Sequence, residues 1–386
     1  MAYVIKGQWG LNAEGIFQED PWFIADSEIK DRGFGNPPSG FKVRDAGEGV
    51  ILPGLVNAHT HMELSHLKNN DFGKKGVHRF ALDLMREPVK PFSTILKHAQ
   101  MEMEYACSRG TFFFCDISNN PEFILSLNQM KGFSGIQFYE LLGFCSPADQ
   151  NRIAMANSLM SMRSNPGSRL IDQIYVTPHS LYGSSPDIML YVLSKNSKLA
   201  SIHALEDTGE IDLFSGKGNT YEFLKSIQQY YPHPELANEN FFSCLEKTFR
   251  DIKKLLLVHL VSADDRFFQQ IESRLSQSAM VLCHRSNVFL GYQRTNWKNM
   301  ANSTLPLLIG TDSAASSPDL STLDEIISLI GEDQIPASRL WQGATYAAYD
   351  YLEIHQNKIP FYRFPGTTPD ISTFRNASAE NILKNF

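Results

Sequence analysis

The stretch LVNAHTHMELSHL, Leu55 to Leu67, places three of the chain's 11 histidines and one glutamate close together. His59 and His61 are two positions apart. On an extended strand both side chains leave the same face, so both imidazoles can reach one ion. Imidazole nitrogen and carboxylate oxygen suit Zn2+ or Fe2+. A catalytic zinc keeps one position open for water and lowers that water's pKa from about 15.7 to about 7. The groups that would complete such a centre stand farther along, each at the end of an apolar run: His179 in VTPHS, His203 in SIHALED, His259 in LLLVHL and Asp312 in LIGTD. His203 and Asp312 would join His59 and His61 as ligands. Glu206, three residues past His203, is placed to carry protons between water and substrate. His259 would orient or deprotonate the water. The fourth run ends without a lysine or glutamate to bridge two ions, so the pattern points to a single ion.

These groups need a scaffold that gathers strand ends. Eight runs read as strands: Val50–Ala58, Thr111–Ser118, Gly135–Leu142, Ile171–Pro178, Lys198–Ala204, Lys253–Val261, Ser278–His284 and Thr304–Asp312. They are continuously apolar, as strands buried on both faces are in a parallel sheet. Helical patterns lie between them, among them Ser93–Gly110 with a serine N-cap, Ser185–Lys198 and Ala263–Ser278. Eight strands alternating with helices over roughly 260 residues is the length of one (β/α)8 TIM-type barrel, whose active site lies at the C-terminal ends of its strands. The expected organisation is residues 51–350 as the barrel, with 1–50 and 351–386 returning to one small, reduced β-subdomain. The segment Leu205–Lys253 is too long for an ordinary connection and is expected to act as a lid or pocket wall.

With 386 residues, 42% hydrophobic and 20% charged, the chain suits a globular fold with a sizeable core. A net charge of −7 argues against nucleic acid and anionic membranes as partners. No apolar run is long enough for a membrane span, and the N-terminus MAYVIKGQWG lacks the core of a secretory signal. Five scattered cysteines without a C-x-x-C spacing fit reduced thiols and a cytoplasmic location. The partner expected is a small-molecule substrate, and a homodimer is the default assembly.

The pieces PGLVNAHTHMEL, TPHSLYG, IHALED, LLLVHL, the SN of CHRSN, and IGTDSAAS occur in this order over residues 48–350. Together they resemble the amidohydrolase superfamily, in its mononuclear branch of deaminases and chlorohydrolases. The resemblance implies His59, His61, His203 and Asp312 as metal ligands, Glu206 as proton shuttle, His259 as the water-facing histidine, and His179 as a substrate contact. It implies that Asp312 also takes a proton from the water. Within the branch, NAHTHMELSHL is similar to the aminodeoxyfutalosine deaminases of the alternative menaquinone pathway, in which Glu63 would contact the nucleoside. The reaction implied is hydrolytic release of ammonia from an aminated purine nucleoside, with one divalent ion, zinc or iron, and no organic cofactor.

This chain departs from the pattern in two places. His284 stands in CHRSN where many relatives carry proline, and the C-terminus lacks the branch's usual closing strand. Chlorohydrolases, guanine or S-adenosylhomocysteine deaminases and cyclic-amide hydrolases would use the same metal shell, and a non-enzymatic barrel is the reading from outside enzymology. Glu63 reads equally as a carboxylate holding a metal histidine. His179 reads also as a packing residue at a strand end.

Overall fold

A computed structural model describes residues 2–143, 147–163, 174–195, 198–227, 240–292, 297–332, 334–355, 358–375 and 377–384. The first fifty or so residues form short strands: β1 (Tyr3–Lys6), β2 (Trp9–Leu11), β3 (Phe17–Glu19), β4 (Pro21–Ala25), β5 (Ile29–Phe34), β6 (Lys42–Asp45) and β7 (Val50–Pro53). Eight strands separated by helices follow: β8 (Leu55–Thr60), β9 (Thr111–Ser118), β10 (Gly135–Leu141), β11 (Ile174–Pro178), β12 (Ala200–Ala204), β13 (Leu255–His259), β14 (Ser278–Leu282) and β15 (Leu307–Ile309). Two short strands close the chain, β16 (Phe361–Phe364) and β17 (Glu380–Asn381).

The eight central strands make two four-stranded parallel sheets, ordered β11-β10-β9-β8 and β12-β13-β14-β15. Every residue of β8, β10, β12, β13 and β14 is buried. This two-sided burial is why these runs carry no polar alternation. The outer edges of the sheets meet where the site residues lie. The N–H groups of Thr311 and Asp312 donate to the His59 carbonyl at 3.0 and 3.1 Å, and the His203 N–H donates to the His179 carbonyl at 3.0 Å.

The apolar run Val50–Ala58 is not one strand. Its first part, β7, pairs with β16 and β2 in a separate sheet of order β17-β16-β7-β2-β3, and only β8 pairs with β9. Pro53 has no N–H to extend a ladder, and Gly54 donates instead to the Pro360 carbonyl at 2.8 Å. Both halves are fully buried, so hydrophobicity does not mark the change of sheet. The remaining strands among β1–β6 form a sheet of order β5-β4-β1-β6.

Other element ends shift for local reasons. The helix expected from Ser93 runs Phe92–Ser108 and begins after Pro91, whose fixed φ suits a helix start. The helix expected over Ala263–Ser278 runs Asp265–Arg274, because the Asp264 side chain accepts from the Phe267 N–H at 2.7 Å. His284, expected to end the seventh strand, opens the short helix His284–Leu290. The long segment after β12 holds helices Gly209–Leu213, Asn219–Ser226 and Phe241–Phe249; its QQYYPH stretch lies outside the described residues. No helix among the described residues is long and apolar enough to cross a membrane.

Gly135 opens β10 against β9, and a Cβ there would sit 2.0 Å from the Phe114 carbonyl oxygen. That contact is backbone and cannot swing aside. Gly135→Ala is expected to lower stability by about 1–3 kcal/mol, read as a fall in the denaturant midpoint with unchanged m-value. An unchanged midpoint would mean that these two strands do not pack this closely.

Candidate active site

The site is built at the C-terminal ends of the parallel strands, where the backbone turns sharply. Four non-glycine residues there adopt left-handed φ: Leu205 (52°), His259 (74°), Leu260 (53°) and Asp312 (58°). Each costs on the order of 1–2 kcal/mol and persists only where surrounding bonds impose it. At Asp312 those bonds are its N–H to the His59 carbonyl and the Thr60 hydroxyl to its own carbonyl, at 3.1 Å each. They turn the Asp312 side chain toward His59 of β8 and His61 just past its end.

The residues expected as ligands converge. Asp312 Oδ1 lies 3.8 Å from His59 Nε2 and 3.7 Å from His61 Nε2. His61 Nε2 and His203 Nε2 are 3.3 Å apart. Ligand atoms of His59, His61 and Asp312 lie within 4.8 Å of one another, and so do those of His59, His203 and His259. His259 Nε2 in turn faces Glu206 Oε1 at 3.7 Å.

Two observations show that this donor set fits a cation. His59 is fully buried, yet neither ring nitrogen has a hydrogen-bond partner among the described residues. An unsatisfied buried polar group of this kind costs about 1–3 kcal/mol, and an ion among the donors would take one of the two nitrogens. His203 donates from Nδ1 to the His179 carbonyl at 3.0 Å, so its Nε2 carries a lone pair. That lone pair points at another imidazole nitrogen, an arrangement that a shared cation relieves.

The electrostatics agree. Burial, then neighbouring imidazoles, hold His59 and His203 well below the ordinary histidine value. His179 falls to about 3 for the same reasons, and burial also lowers His61 and His259. Imidazoles kept neutral at pH 7 are ready to bind metal without releasing protons. Burial pushes Glu206 the other way, well above the usual carboxylate range, with the Asp312 and Asp207 charges adding to it. Glu210 braces this corner by accepting from the N–H groups of Leu205, Glu206 and Asp207 at 3.1, 2.7 and 3.3 Å.

A cavity of about 260 Å³ opens over the cluster, lined by His61, His203, Glu206, His259 and Asp312 together with Glu63 and His179. His179 stacks on His203 with ring centroids 4.6 Å apart. Glu63 accepts from the Ser118 hydroxyl at 2.6 Å and the Asn119 N–H at 3.3 Å, which aligns its carboxylate along the wall. The helix Val77–Arg86 supplies an apolar side through Val77, Phe80 and Leu84, and Phe223 adds another from the long segment after β12.

Sequence reasoning missed Glu140. It is the penultimate residue of β10, lines the cavity, and places Oε1 3.5 Å from His203 Nδ1 with no hydrogen-bond partner for that oxygen among the described residues. Burial, with Glu63, Asp312 and Glu206 nearby, raises its pKa to about 8. The signal was available: a lone carboxylate stands near the end of the third apolar run, as His203 stands near the end of its own. Ser286 and Asn287, the SN of CHRSN, and Ser316 at the end of IGTDSAAS carried the resemblance but were given no role. Ser286 and Ser316 donate to Asp312 Oδ2 at 2.6 and 2.8 Å, and Asn287 Oδ1 lies 3.0 Å from His259 Nδ1.

Residues 50–358 match the amidohydrolase family. This chain belongs to that family. As an amidohydrolase it is a hydrolase of carbon–nitrogen bonds. An adenosine deaminase of Helicobacter pylori is 25% identical to it over 330 residues, which cover 80% of this chain and 76% of that protein. A 5-methylthioadenosine/S-adenosylhomocysteine deaminase of Clostridium tetani is 24% identical over 296 residues, 72% of this chain but only 61% of that protein. The crystal structure of Helicobacter pylori aminofutalosine deaminase in complex with methylthio-coformycin superposes with a TM-score of 0.80 at 20% identity, covering 98% of this chain and 97% of that one. The amidohydrolase neighbours place the chain in the TIM-barrel class of α/β folds.

If the cluster holds a metal, the protein binds close to one equivalent of divalent ion by elemental analysis, and His203→Ala loses most of it. Ion at 100 times its Kd then stabilises the native state by about 2.7 kcal/mol. A melting temperature indifferent to added zinc would contradict the assignment.

Proposed function

We propose that this amidohydrolase is a one-metal deaminase that hydrolyses an aminated purine nucleoside and releases ammonia, with aminodeoxyfutalosine, an intermediate of menaquinone biosynthesis, as the favoured substrate. The observation that carries the reading is the convergence of His59, His61, His203 and Asp312 beside Glu206 and His259 under a single cavity. The ion in our reading is zinc, with iron as the alternative; when bound it supplies Lewis-acid activation of water.

The residues of the chain do the rest. Burial raises the pKa of Glu206, and the side chain is placed to carry a proton to the ring nitrogen next to the carbon under attack. Asp312 keeps Oδ1 directed into the cluster and is placed to accept the proton that the attacking water gives up. His259 orients that water. Glu63 and His179 face the same cavity and contact the substrate, while the apolar wall from Val77, Phe80 and Leu84 excludes water from it.

Aminodeoxyfutalosine is favoured over adenosine, 5-methylthioadenosine and S-adenosylhomocysteine for two reasons. The HTH-x-E-x-S pattern of residues 59–65 is one. The higher TM-score on the aminofutalosine deaminase, 0.80 against 0.71 on an adenosine deaminase of Xanthomonas campestris, is the other.

The fold is read in the same spirit. The two parallel sheets form one closed (β/α)8 barrel, supported by the bonds from Thr311 and Asp312 to His59 and from His203 to His179 across their edges. The chain ends form one small β-subdomain, supported by the pairing of β7 with β16 and β2.

Metal-replete protein is expected to release ammonia from aminodeoxyfutalosine faster than from the other three nucleosides. Turnover confined to a triazine or a cyclic amide would overturn the deaminase reading. Glu206→Gln should lose about 10²–10⁴-fold in kcat while retaining its metal; parallel loss of metal and activity would move Glu206 from proton transfer to ion binding.

A further inference from the structure

We infer that the tripeptide Arg285-Ser286-Asn287 is a single positioning device that sets the orientation of Asp312 and the tautomer of His259. It lies at the start of the short helix His284–Leu290, directly after β14. None of the three residues lines the cavity. Each is committed to a different partner.

Arg285 is the anchor. Its backbone N–H and Nε bond the two oxygens of Glu325 at 2.9 and 2.5 Å. Its Nη1 and Nη2 bond the Asp319 carboxylate at 3.0 and 2.9 Å, and Nη2 also reaches the Asp319 and Ser321 carbonyls. Glu325 is fully buried, so this fork cannot drift into water. A guanidinium occupied in this way has little left to offer a ligand; what it fixes is the register of the turn.

The next two residues use that register. Ser286, fully buried, gives its proton to Asp312 Oδ2 at 2.6 Å. Ser316, from the segment after β15, approaches the same oxygen at 2.8 Å. With Oδ2 held from two segments the carboxylate cannot rotate, and Oδ1 stays aimed at His59 and His61. Asn287 presents Oδ1 to His259 Nδ1 at 3.0 Å. A carbonyl oxygen there requires the ring proton on Nδ1, so Nε2 turns its lone pair toward Glu206 and the site. One helical turn thus sets a cluster-facing oxygen just past β15 and a lone-pair nitrogen at the end of β13.

The inference rests on the metal and proton roles proposed above, but its test reads without substrate. Ser286→Ala is expected to weaken zinc binding about 10–100-fold in a chelator competition, and Ser286→Thr to restore most of the loss. Ser316→Ala, which frees the same oxygen from another segment, answers the same question should Ser286→Ala not fold. Arg285→Met should give the Ser286→Ala effect, and the double variant should lose little more, as for two residues acting in series. In ¹⁵N-histidine spectra, Asn287→Leu should move His259 off the Nδ1–H tautomer and Asn287→Asp should keep it. With substrate, Asn287→Leu should lower kcat about 10–100-fold with KM nearly unchanged. Unaltered zinc affinity in both serine variants, additive losses for Arg285 and Ser286, or an unmoved His259 spectrum would each overturn the device. A parent protein that binds no divalent ion would overturn the metal reading instead.

Discussion

Everything in this structure follows from the cost of burying polar rings and carboxylates together. His59, His61, His203, His259, Glu206 and Asp312 are all shielded from water, and they cluster tightly enough to lose hydration without pairing fully among themselves. Such a group is tolerated only when paired, neutralised or coordinated. Burial holds the imidazoles in their neutral form and shifts the Glu206 pKa upward, and it leaves the ring nitrogens of His59 without a partner among the described residues. A divalent ion would complete that balance. The left-handed backbone at Leu205, His259, Leu260 and Asp312 belongs to the same account, since it bends strand ends toward one point at some cost in stability.

The scaffold makes the convergence possible. Parallel strands in register put their C-terminal ends at one level, and the backbone bonds from Asp312 to His59 and from His203 to His179 join the two sheets beside the donors. Apolar packing alone would leave those side chains free to turn. Hydrogen bonds from behind restrain them: the His179 carbonyl on His203, Asn287 on His259, the two serines on Asp312, and Glu210 under the 205–207 turn. This is the usual way in which a protein fixes the tautomer and direction of a ligand.

Much of this was legible in the sequence, for identifiable reasons. The H-x-H spacing of His59 and His61 and the strand-end positions of His203, His259 and Asp312 follow from the period of a strand and the habit of parallel barrels, so these residues could be placed before any coordinates. Element boundaries were harder. Val50–Ala58 is apolar on both sides of Pro53 and Gly54, so hydrophobicity does not show that the chain leaves one sheet for another there. Glu140 is a single carboxylate followed by two leucines, and its run does not set it apart until His203 lies beside it. Ser286, Ser316 and Asn287 are small polar residues whose roles exist only once Asp312 and His259 have been brought beside them. His284, conspicuous in the sequence, packs edge-on against Trp297 at 4.7 Å, outside the cavity.

The central claim is that four distant donors share one ion, and anomalous diffraction from crystals grown with zinc tests it most directly. The account predicts one strong peak between His59, His61, His203 and Asp312, about 2.0–2.2 Å from the nitrogen and oxygen ligands. Zinc found only at surface sites, with these four side chains well ordered around an empty centre, would contradict it.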